Sequence, residues 1–506
     1  MHTTTLSGAL VGVAARIVRI EIRLRKGGFP GFHMVGLADT AVRESRVRVM
    51  TALDHAGYPF GESCITVNLA PADLPKSGSA LDLALAVGLL GAAGVIPREG
   101  LEGLVLLGEL GLRGEIRPVP GVLPCALGTR AAGLGCIIVP EANGPEASIV
   151  EGLDARAAAD LAGVVGHLSG LRPLPRPAPP GRRPAHGPAP DMSDVRGQES
   201  AKRALEVAAA GGHNVLLVGP PGSGKTMLAR ALATILPPLD EEEALETMAV
   251  YSAAGLLGGH QAVDPERPFR APHHSVSPAG LVGGGSPLRP GEVSLAHNGV
   301  LFLDEMPEFG AYALDLLREP VGDGHVTVVR LGQACRFPAR FTLVGAMNPC
   351  RCGHDGDPRR ECTCSVAERR RYASRISGPL LDRIDIRVEV AQPSYREISG
   401  PPTGDTSLRI RERVVAARSV RAARAERREE PMDPQGASRR LLEKVVDAMG
   451  LSARGYVRLL GVARTIADLD GSERVAEPHI AEAVQYTRPR WDASVITGRQ
   501  ERRPWR

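Results

Sequence analysis

The sequence predicts a multidomain α/β protein, and three observations support this fold class. At 506 residues the chain is longer than one hydrophobic core supports, so two or three domains are expected. The proline-rich stretch 171–190, "LRPLPRPAPPGRRPAHGPAP", favours extended chain without a packed core and predicts a linker. Downstream of it, short apolar runs alternate with helical stretches, which is typical of a parallel sheet covered by helices.

Residues 1–170 are expected to form an α+β domain. Strand patterns occur in "RIVRIEIRL", "SCITVNL" and "GCIIVP", and "ALDLALAVGLLGAAG" has the composition of a buried helix. The sequence shows no N-terminal signal segment and no apolar run of the ~18 residues that a membrane helix needs. We therefore expect a cytoplasmic protein without membrane contacts.

Residues 191–395 are expected to form an ATPase core, because a phosphate-binding loop follows an apolar strand there. "GPPGSGKT" matches G-x-x-x-x-G-K-[ST] and lies between the strand "NVLLV" and the helix "MLARALATIL". Backbone N–H groups of such a loop surround phosphate oxygens, its lysine reaches the β- and γ-phosphates, and its hydroxyl ligates Mg²⁺. The predicted ATP-binding residues are Gly219, Pro220, Pro221, Gly222, Ser223, Gly224, Lys225 and Thr226.

Two further strands of this core end in polar residues. "VLFLDE" places Asp304 where it can hold Mg²⁺ together with Thr226, and Glu305 where it can polarise the attacking water. "FTLVGAMN" ends in Asn348, whose amide suits the positioning of water or of the γ-phosphate. Together with the phosphate loop, these residues predict ATP hydrolysis.

Arg383 in "GPLLDRIDI" follows a short helical stretch. An arginine that reaches a neighbouring subunit's γ-phosphate stabilises the charge of the transition state and makes hydrolysis depend on assembly. The sequence leaves a second interpretation open, in which Arg383 pairs with Asp382 or Asp385.

Four cysteines in "CRCGHDGDPRRECTC" form two Cys-x-Cys pairs on one loop, 350–364. In a reducing compartment this spacing indicates thiolate ligands. Four thiolates make a closed tetrahedral zinc site, which is structural because no position is left for substrate. An iron–sulfur cluster is the alternative, and His354 is a possible substitute ligand. The predicted zinc ligands are Cys350, Cys352, Cys362 and Cys364.

The order of "GPPGSGKT", "GEVSLAHNGVLFLDEMPEF", "AMNPC", "GPLLDRIDI" and "SARGYVRLLGVARTIADL" resembles AAA+ ATPases of the magnesium-chelatase-like branch, and the whole chain resembles the ComM/YifB type. The resemblance implies a role for each matched residue. These are Lys225 and Thr226 as Walker A, Asp304 and Glu305 as Walker B, Asn348 as sensor 1, Arg383 as arginine finger and Arg454 as sensor 2.

The resemblance also implies a ring, with a homohexamer expected, and a helical lid at 396–492 followed by a tail at 493–506. Members of the family are described as DNA helicases that drive branch migration during recombination in natural transformation. Branched or single-stranded DNA, bound without sequence preference, is therefore the expected partner. The hairpin pattern of 323–341 offers Arg330 and Arg336 for phosphate contacts, and solvated arginines on an edge hairpin are an equal alternative.

"LPKSGSALDLALA", residues 74–86, resembles the nucleophile region of Lon-type serine proteases. Ala80 stands at the nucleophile position, and no lysine occurs between Lys76 and Lys202. Because a Ser–Lys site needs a hydroxyl and an activating amine, we expect a Lon-like fold without peptidase activity.

Two other functions stay open. An ATPase subunit of a metal chelatase shares the same core, although "DMSDV" fails the D-x-S-x-S pattern of metal-dependent adhesion, and a protein-remodelling ATPase would need no DNA. The arginine-rich segment 409–428 fits any of these functions, either as a solvated lid helix or as a DNA contact.

Overall fold

The computed structural model describes residues 1–26, 29–37, 39–76, 78–179, 181, 189–257, 266–285, 288–330, 333–357, 360–401, 404–427 and 436–487. The tail predicted at 493–506 and most of the second half of the predicted linker lie outside the described residues. Among the described helices, none is long and apolar enough to cross a membrane.

The N-terminal part is built on one mixed sheet. Its elements are β1 (His2–Val11), β2 (Ala14–Lys26), β3 (Gly31–Val35), α1 (Thr40–His55), β4 (Ser63–Ala70), α2 (Asp82–Ala93), β5 (Leu104–Leu106), β6 (Glu109–Leu110), β7 (Ile116–Arg117), α3 (Val122–Ala131), β8 (Cys136–Pro140), α4 (Gly144–Ala147), β9 (Asp154–Ala158) and α5 (Leu161–Leu168). The seven-stranded sheet has the order β3-β4-β2-β1-β5-β8-β9. Strands β1, β2 and β4 are antiparallel neighbours, and the remaining pairs are parallel.

Helices cover the two faces of this sheet unequally. Val18, Ile20, Ile22 and Leu24 of β2 are almost completely buried and share a core with α1 and α2. The opposite face carries α3, which packs on Leu6 and Ile17 at one end of the sheet. The predicted buried helix is confirmed as α2, whose residues 82–92 are all buried, because it lies between the sheet and α1.

The chain continues along the N-terminal domain after α5. The backbone N–H of Ala157 donates to Pro175 O at 3.1 Å, the Arg156 guanidinium donates to Leu174 O at 2.9 Å, and Leu174 is buried. The first residues of the predicted linker therefore lie on the surface of this domain.

The middle part contains the predicted parallel sheet. Its elements are α6 (Glu199–Gly211), β10 (Val215–Val218), α7 (Lys225–Ile235), α8 (Glu241–Ala254), β11 (Phe269–Arg270), α9 (Pro278–Val282), β12 (Gly283–Gly284), β13 (Arg289–Pro290), α10 (Glu292–Leu295), β14 (Gly299–Leu303), α11 (Ala311–Leu316), α12 (Arg318–Asp323), β15 (His325–Arg330), β16 (Gln333–Pro338), β17 (Phe341–Met347), α13 (Val366–Ala373), α14 (Gly378–Leu381) and β18 (Ile386–Glu389). Five strands form an all-parallel sheet in the order β11-β14-β17-β10-β18. The hairpin predicted before the last core strands is confirmed as β15 and β16.

The C-terminal part is helical, as predicted. It comprises α15 (Tyr395–Ser399), α16 (Ser407–Glu426), α17 (Ala437–Met449), α18 (Ala453–Leu469) and α19 (Glu477–Gln485). Its apolar side chains join those of α6, α7 and β10 in one core, so the lid and the sheet share their hydrophobic stabilisation.

The arginines of α16 are used within the protein. Arg411, Arg418 and Arg421 donate to backbone carbonyls of Thr234, Ala209 and Gly211 at the ends of α7 and α6. Two others pair with buried carboxylates, Arg413 with Glu206 and Arg424 with Asp468. The interpretation of α16 as a solvated helix is therefore wrong for the half-buried Arg411, Arg418 and Arg424, whereas Arg413 and Arg421 are exposed and still bind groups within the protein.

The N-terminal domain contacts the ATPase core at α8. Ser252 Oγ donates to Glu146 Oε2 at 2.7 Å and accepts from the Leu123 N–H at 3.2 Å, and Ser252 O accepts from the Gly121 N–H at 2.8 Å. Leu245 and Met248 of α8 pack into the core around α3. This contact is independent of the covalent linker between the two parts.

Burial of Glu146 in this contact should make stability depend on pH. Burial raises the pKa of Glu146, although hydrogen bonds from Ser252 and Asn143 oppose the shift. The native state therefore holds this proton to a higher pH than the unfolded chain does, and stability falls as pH rises from the unfolded pKa of about 4.3 through the raised native pKa. Glu146→Gln should remove that loss, seen as a smaller drop of Tm with pH in thermal melts. The exposed Glu141→Gln is the control, and equal pH profiles for Glu146→Gln and wild type would contradict this assignment.

Candidate functional site

The predicted catalytic groups meet at the carboxyl edge of the parallel sheet. The phosphate loop follows β10, Asp304 follows β14 and Asn348 follows β17, and these three strands are neighbours. Thr226 Oγ1 donates to Asp304 Oδ2 at 2.9 Å, and Lys225 Nζ donates to Asn348 Oδ1 at 3.1 Å. Residues far apart in the sequence thus form one polar cluster.

The phosphate loop curls around the Lys225 side chain. Lys225 Nζ donates to Gly219 O at 2.7 Å and to Pro220 O at 2.9 Å. Gly222 and Gly224 have φ angles of +75° and +92°, which glycine adopts without strain. Burial lowers the pKa of Lys225, while Asp304 and Glu305 act in the opposite direction.

These groups fit a nucleoside triphosphate with Mg²⁺. The hydroxyl of Ser223 is buried and has no hydrogen-bond partner among the described residues, so an unsatisfied polar group lies inside the loop. Pro221 of the same loop is exposed. The oxygens of Thr226 and Asp304 are hard ligands of the kind Mg²⁺ prefers, and Lys225 supplies the positive charge for phosphate oxygens.

Glu305 lies next to a histidine that the sequence analysis did not select. Its backbone has a φ of +49°, and its carboxylate lies 4.0 Å from Nδ1 of His274. His274 follows β11, the strand beside β14, and its ring contacts those of His273 and Phe309. The parallel order of β11 and β14 could have indicated this proximity, but β11 has only two residues and no clear strand pattern.

Arg383 lies at the opposite edge of the sheet from the phosphate loop. The side chain of Asn214, just before β10, donates to Arg383 O at 2.9 Å, and the Arg383 guanidinium donates to Pro379 O. Because β10 and β18 run parallel, the end of β10 near Arg383 is the end remote from Lys225. Arg383 therefore does not serve the phosphate loop of its own chain.

The alternative pairing of Arg383 does not occur among the described residues. Asp382 faces Arg458 at 3.7 Å, and Asp385 accepts from the Asn214 backbone at 3.0 Å. Arg454 is exposed and lines the same groove of about 570 Å³ as Arg383. The finger and sensor-2 candidates are thus brought together, and neither lies beside the phosphate loop of this chain.

The four predicted zinc ligands are brought together. Their sulfur atoms all lie within 4.8 Å of one another, and Cys350 is completely buried. Although desolvation alone raises it, hydrogen bonds from the backbones of His354 and Thr363 lower the pKa of the Cys352 thiol. The donor set fits a closed metal site. His354 instead lies 3.2 Å from Asp357, so it is not drawn into the thiol cluster.

The cysteine loop lies directly against the phosphate loop. A Cβ on Gly353 would come within 2.7 Å of Pro221 Cδ, so the two loops are in close contact. Arg369, on α13, pairs with Asp355 at 2.6 Å, and Arg375 pairs with Glu308 at 2.7 Å, just after the turn that carries Asp304 and Glu305. A metal in this loop would therefore brace the nucleotide site.

The predicted DNA contacts on the hairpin are only partly described. Arg330 ends β15, and its side chain lies outside the described residues. Arg336 is exposed in the middle of β16, its guanidinium lies 2.9 Å from His325 Nδ1, and its carbonyl faces Gly12 in the β1–β2 turn. The N-terminal domain thus contacts the hairpin as well as α8.

The Lon-like segment places its polar groups apart from one another. Lys76 is 1% exposed and donates to Leu69 O at 3.0 Å and to Pro71 O. Ser79 donates to Glu109, and Ser77 lies outside the described residues. The Lys76 ammonium is committed to backbone carbonyls, so it does not act as a base for Ser79.

Comparison with family models covers most of the chain. Residues 191–398 match the model described as magnesium chelatase, subunit ChlI, residues 20–143 match the model described as subunit ChlI of Mg-chelatase, and residues 404–487 match its C-terminal model. The three matches follow the same order as the three structural parts.

Individual proteins show similarity over the same length. The competence protein ComM of Haemophilus influenzae is 42% identical, covering 95% of this chain and 96% of that protein. YifB of Escherichia coli is also 42% identical, covering 94% of this chain and 95% of that protein. The magnesium-chelatase 38 kDa subunit of Rhodobacter capsulatus is 30% identical over 57% of this chain and 84% of its own length.

Loss of one thiol should remove a bound metal and weaken the nucleotide site. We expect Cys362→Ser to lower zinc content well below one ion per chain, because three thiolates no longer close the site. ATPase activity should also fall, because the loop lies against Pro221. Metal content by mass spectrometry and ATPase rate measure the two effects, and Cys136→Ser in the N-terminal domain is the control. Full zinc content in Cys362→Ser would contradict the assigned ligand set.

Proposed function

The chain belongs to the magnesium chelatase ChlI family, among its ComM/YifB-type members, and from this premise we propose that it is an ATP-driven DNA motor. In this proposal a ring, expected to be a hexamer, hydrolyses ATP at each subunit interface. The released energy moves branched or single-stranded DNA during recombination of incoming DNA.

One observation carries the ATPase part of the proposal. Lys225, Thr226, Asp304 and Asn348 are linked by hydrogen bonds at one edge of the sheet, with Glu305 adjacent. Lys225 and backbone N–H groups of the loop would hold the triphosphate, Thr226 and Asp304 would hold Mg²⁺, and Asn348 would position the γ-phosphate. Mg²⁺, when bound, neutralises charge that develops on the phosphate oxygens. Glu305 accepts a proton from the attacking water.

The placement of Arg383 and Arg454 supports a ring. Both lie at the sheet edge remote from the phosphate loop of their own chain, where they can reach a neighbour's γ-phosphate. Charge stabilisation by an arginine supplied in trans makes hydrolysis conditional on assembly. A ring in which every subunit both holds ATP and donates these arginines satisfies this geometry.

DNA as the substrate rests on the named relative, a competence protein, and on the layout shared with it over nearly the whole chain. The second candidate is an ATPase subunit of a chelatase-like or remodelling complex. It is supported by the 38 kDa chelatase subunit, although that similarity covers only 57% of this chain.

ATPase rates in four conditions distinguish the two candidates. Rates are measured without DNA, with single-stranded DNA, with duplex and with a four-way junction. A DNA motor should be stimulated by DNA, with the junction strongest for branch migration, and Glu305→Gln should abolish the rate because the general base is lost. An ATPase indifferent to every DNA would favour the chelatase-like or remodelling function.

Mixing two inactive variants tests whether Arg383 acts in trans. Arg383→Ala retains its phosphate loop and Glu305, whereas Glu305→Gln retains Arg383. Arg383→Ala alone should lose roughly 10³-fold or more in kcat, the scale of an arginine finger, and Glu305→Gln alone should lose about 10²- to 10⁴-fold, the scale of a general base. Mixed rings should regain activity at interfaces that pair an intact ATP site with an intact arginine. No recovery in rings verified to be mixed would contradict action in trans.

A further inference from the structure

The strand β2 carries a charge pattern that the ATPase site does not explain. Between Ala14 and Lys26 there are five basic residues and one acidic residue. Three of the arginines, Arg19, Arg23 and Arg25, share one side of the strand, because Val18, Ile20, Ile22 and Leu24 are buried on the other. Side chains alternate along a strand, so these three must face away from the core.

Polar residues on the neighbouring strands lie beside the arginines of β2 and enlarge the polar surface. Arg23 lies opposite His2 on β1 and Thr66 on β4, and Thr66 lies opposite His33 on β3. All four of these residues are exposed. Helix α3 packs on β1 and β2 near Leu6, Ala15 and Ile17, and beyond these residues Arg19, Arg23 and Arg25 are exposed.

The positive charge of this surface is not neutralised within the described chain. The guanidinium groups of Arg19, Arg23 and Arg25 neither donate a described hydrogen bond nor lie within 4.0 Å of a described carboxylate oxygen. Glu21 between them accepts from Asn68 at 2.9 Å. The arginines of α16 behave differently, since they bind carbonyls and carboxylates inside the protein. The guanidinium groups of β2 are therefore available to an external anion.

The turn before β2 contacts the hairpin β15–β16. Gly12, in the turn before β2, contacts the carbonyl of Arg336, and Val11 and Val13 pack on the core that contains this hairpin. From Arg19 to Arg25 the strand spans about 20 Å. At about 3.4 Å per phosphate along one strand of a duplex, this length matches roughly six phosphates.

We propose that this surface, formed by Arg19, Arg23, Arg25, His2 and His33, binds the phosphate backbone of DNA. The inference rests on the proposed DNA motor and gives the N-terminal domain a role in it. Arginine guanidinium groups hydrogen-bond phosphate oxygens, and phosphate contacts hold DNA without reading its sequence.

Charge reversal on the full chain tests the proposal. The test variant combines Arg19→Glu, Arg23→Glu and Arg25→Glu, with a glutamine triple at the same positions as a milder form. The control reverses three exposed arginines elsewhere in the same domain, namely Arg98, Arg113 and Arg130. Affinity for a fluorescein-labelled single strand and duplex is measured by anisotropy over a range of salt, with ring assembly and DNA-free ATPase rate measured in parallel.

We expect the test variant to lose about tenfold or more in affinity for DNA. For duplex, the slope of the logarithm of the binding constant against the logarithm of salt concentration should become shallower by up to about 2.7, which is about 0.9 for each lost phosphate contact. The control should stay within about twofold. The inference would be overturned if the glutamate triple kept its affinity for DNA, or if it and the control triple lost affinity equally. It would also be overturned if the glutamate triple failed to form rings, or if the protein bound anionic vesicles in preference to DNA. A wild type that binds no DNA would overturn the proposed function as well.

Discussion

The carboxyl edge of the five-stranded parallel sheet is the constraint on which the rest of the molecule depends. In a parallel sheet, the residues that follow the strands lie along the same edge. Here Lys225 bonds to Asn348 and Thr226 bonds to Asp304 along that edge. The cysteine loop lies against the phosphate loop, and the helical lid shares a hydrophobic core with the sheet. The same parallel order places Arg383 at the other edge, remote from the phosphate loop of its own chain.

The sequence was informative wherever a local pattern determines the chemistry. The phosphate loop, the Asp–Glu pair and the paired cysteines are short motifs, and the structure brings the members of each together as expected. His274 was missed as a neighbour of Glu305, because their contact depends on the two-residue strand β11, which has no periodicity to detect. The position of Arg454 beside Arg383 depends on how the lid packs, and a helical pattern alone does not contain that information.

The arginines of α16 and those of β2 differ in the groups that surround them in the fold. Several arginines occur on α16 and on β2, and composition alone favours neither as a nucleic-acid contact. Those on α16 meet carbonyls and carboxylates at the ends of α6 and α7, so their charge is satisfied internally. Those on β2 stand on the outer side of a sheet and meet solvent. Counting charge by segment does not distinguish these two sets, because their difference lies in the partners that the fold supplies.

The contact between Ser252 and Glu146 has a consequence for how the chain can be divided. The proline-rich segment suggests a place to cut, yet α8 of the ATPase core presents Leu245, Met248 and a buried hydroxyl to the N-terminal domain. An isolated core would expose these apolar side chains to water, and an isolated N-terminal domain would hydrate a carboxyl group that is buried in the full chain. The two parts are therefore better regarded as one cooperative unit than as separable modules, and a fragment's behaviour is a poor guide to either part in place.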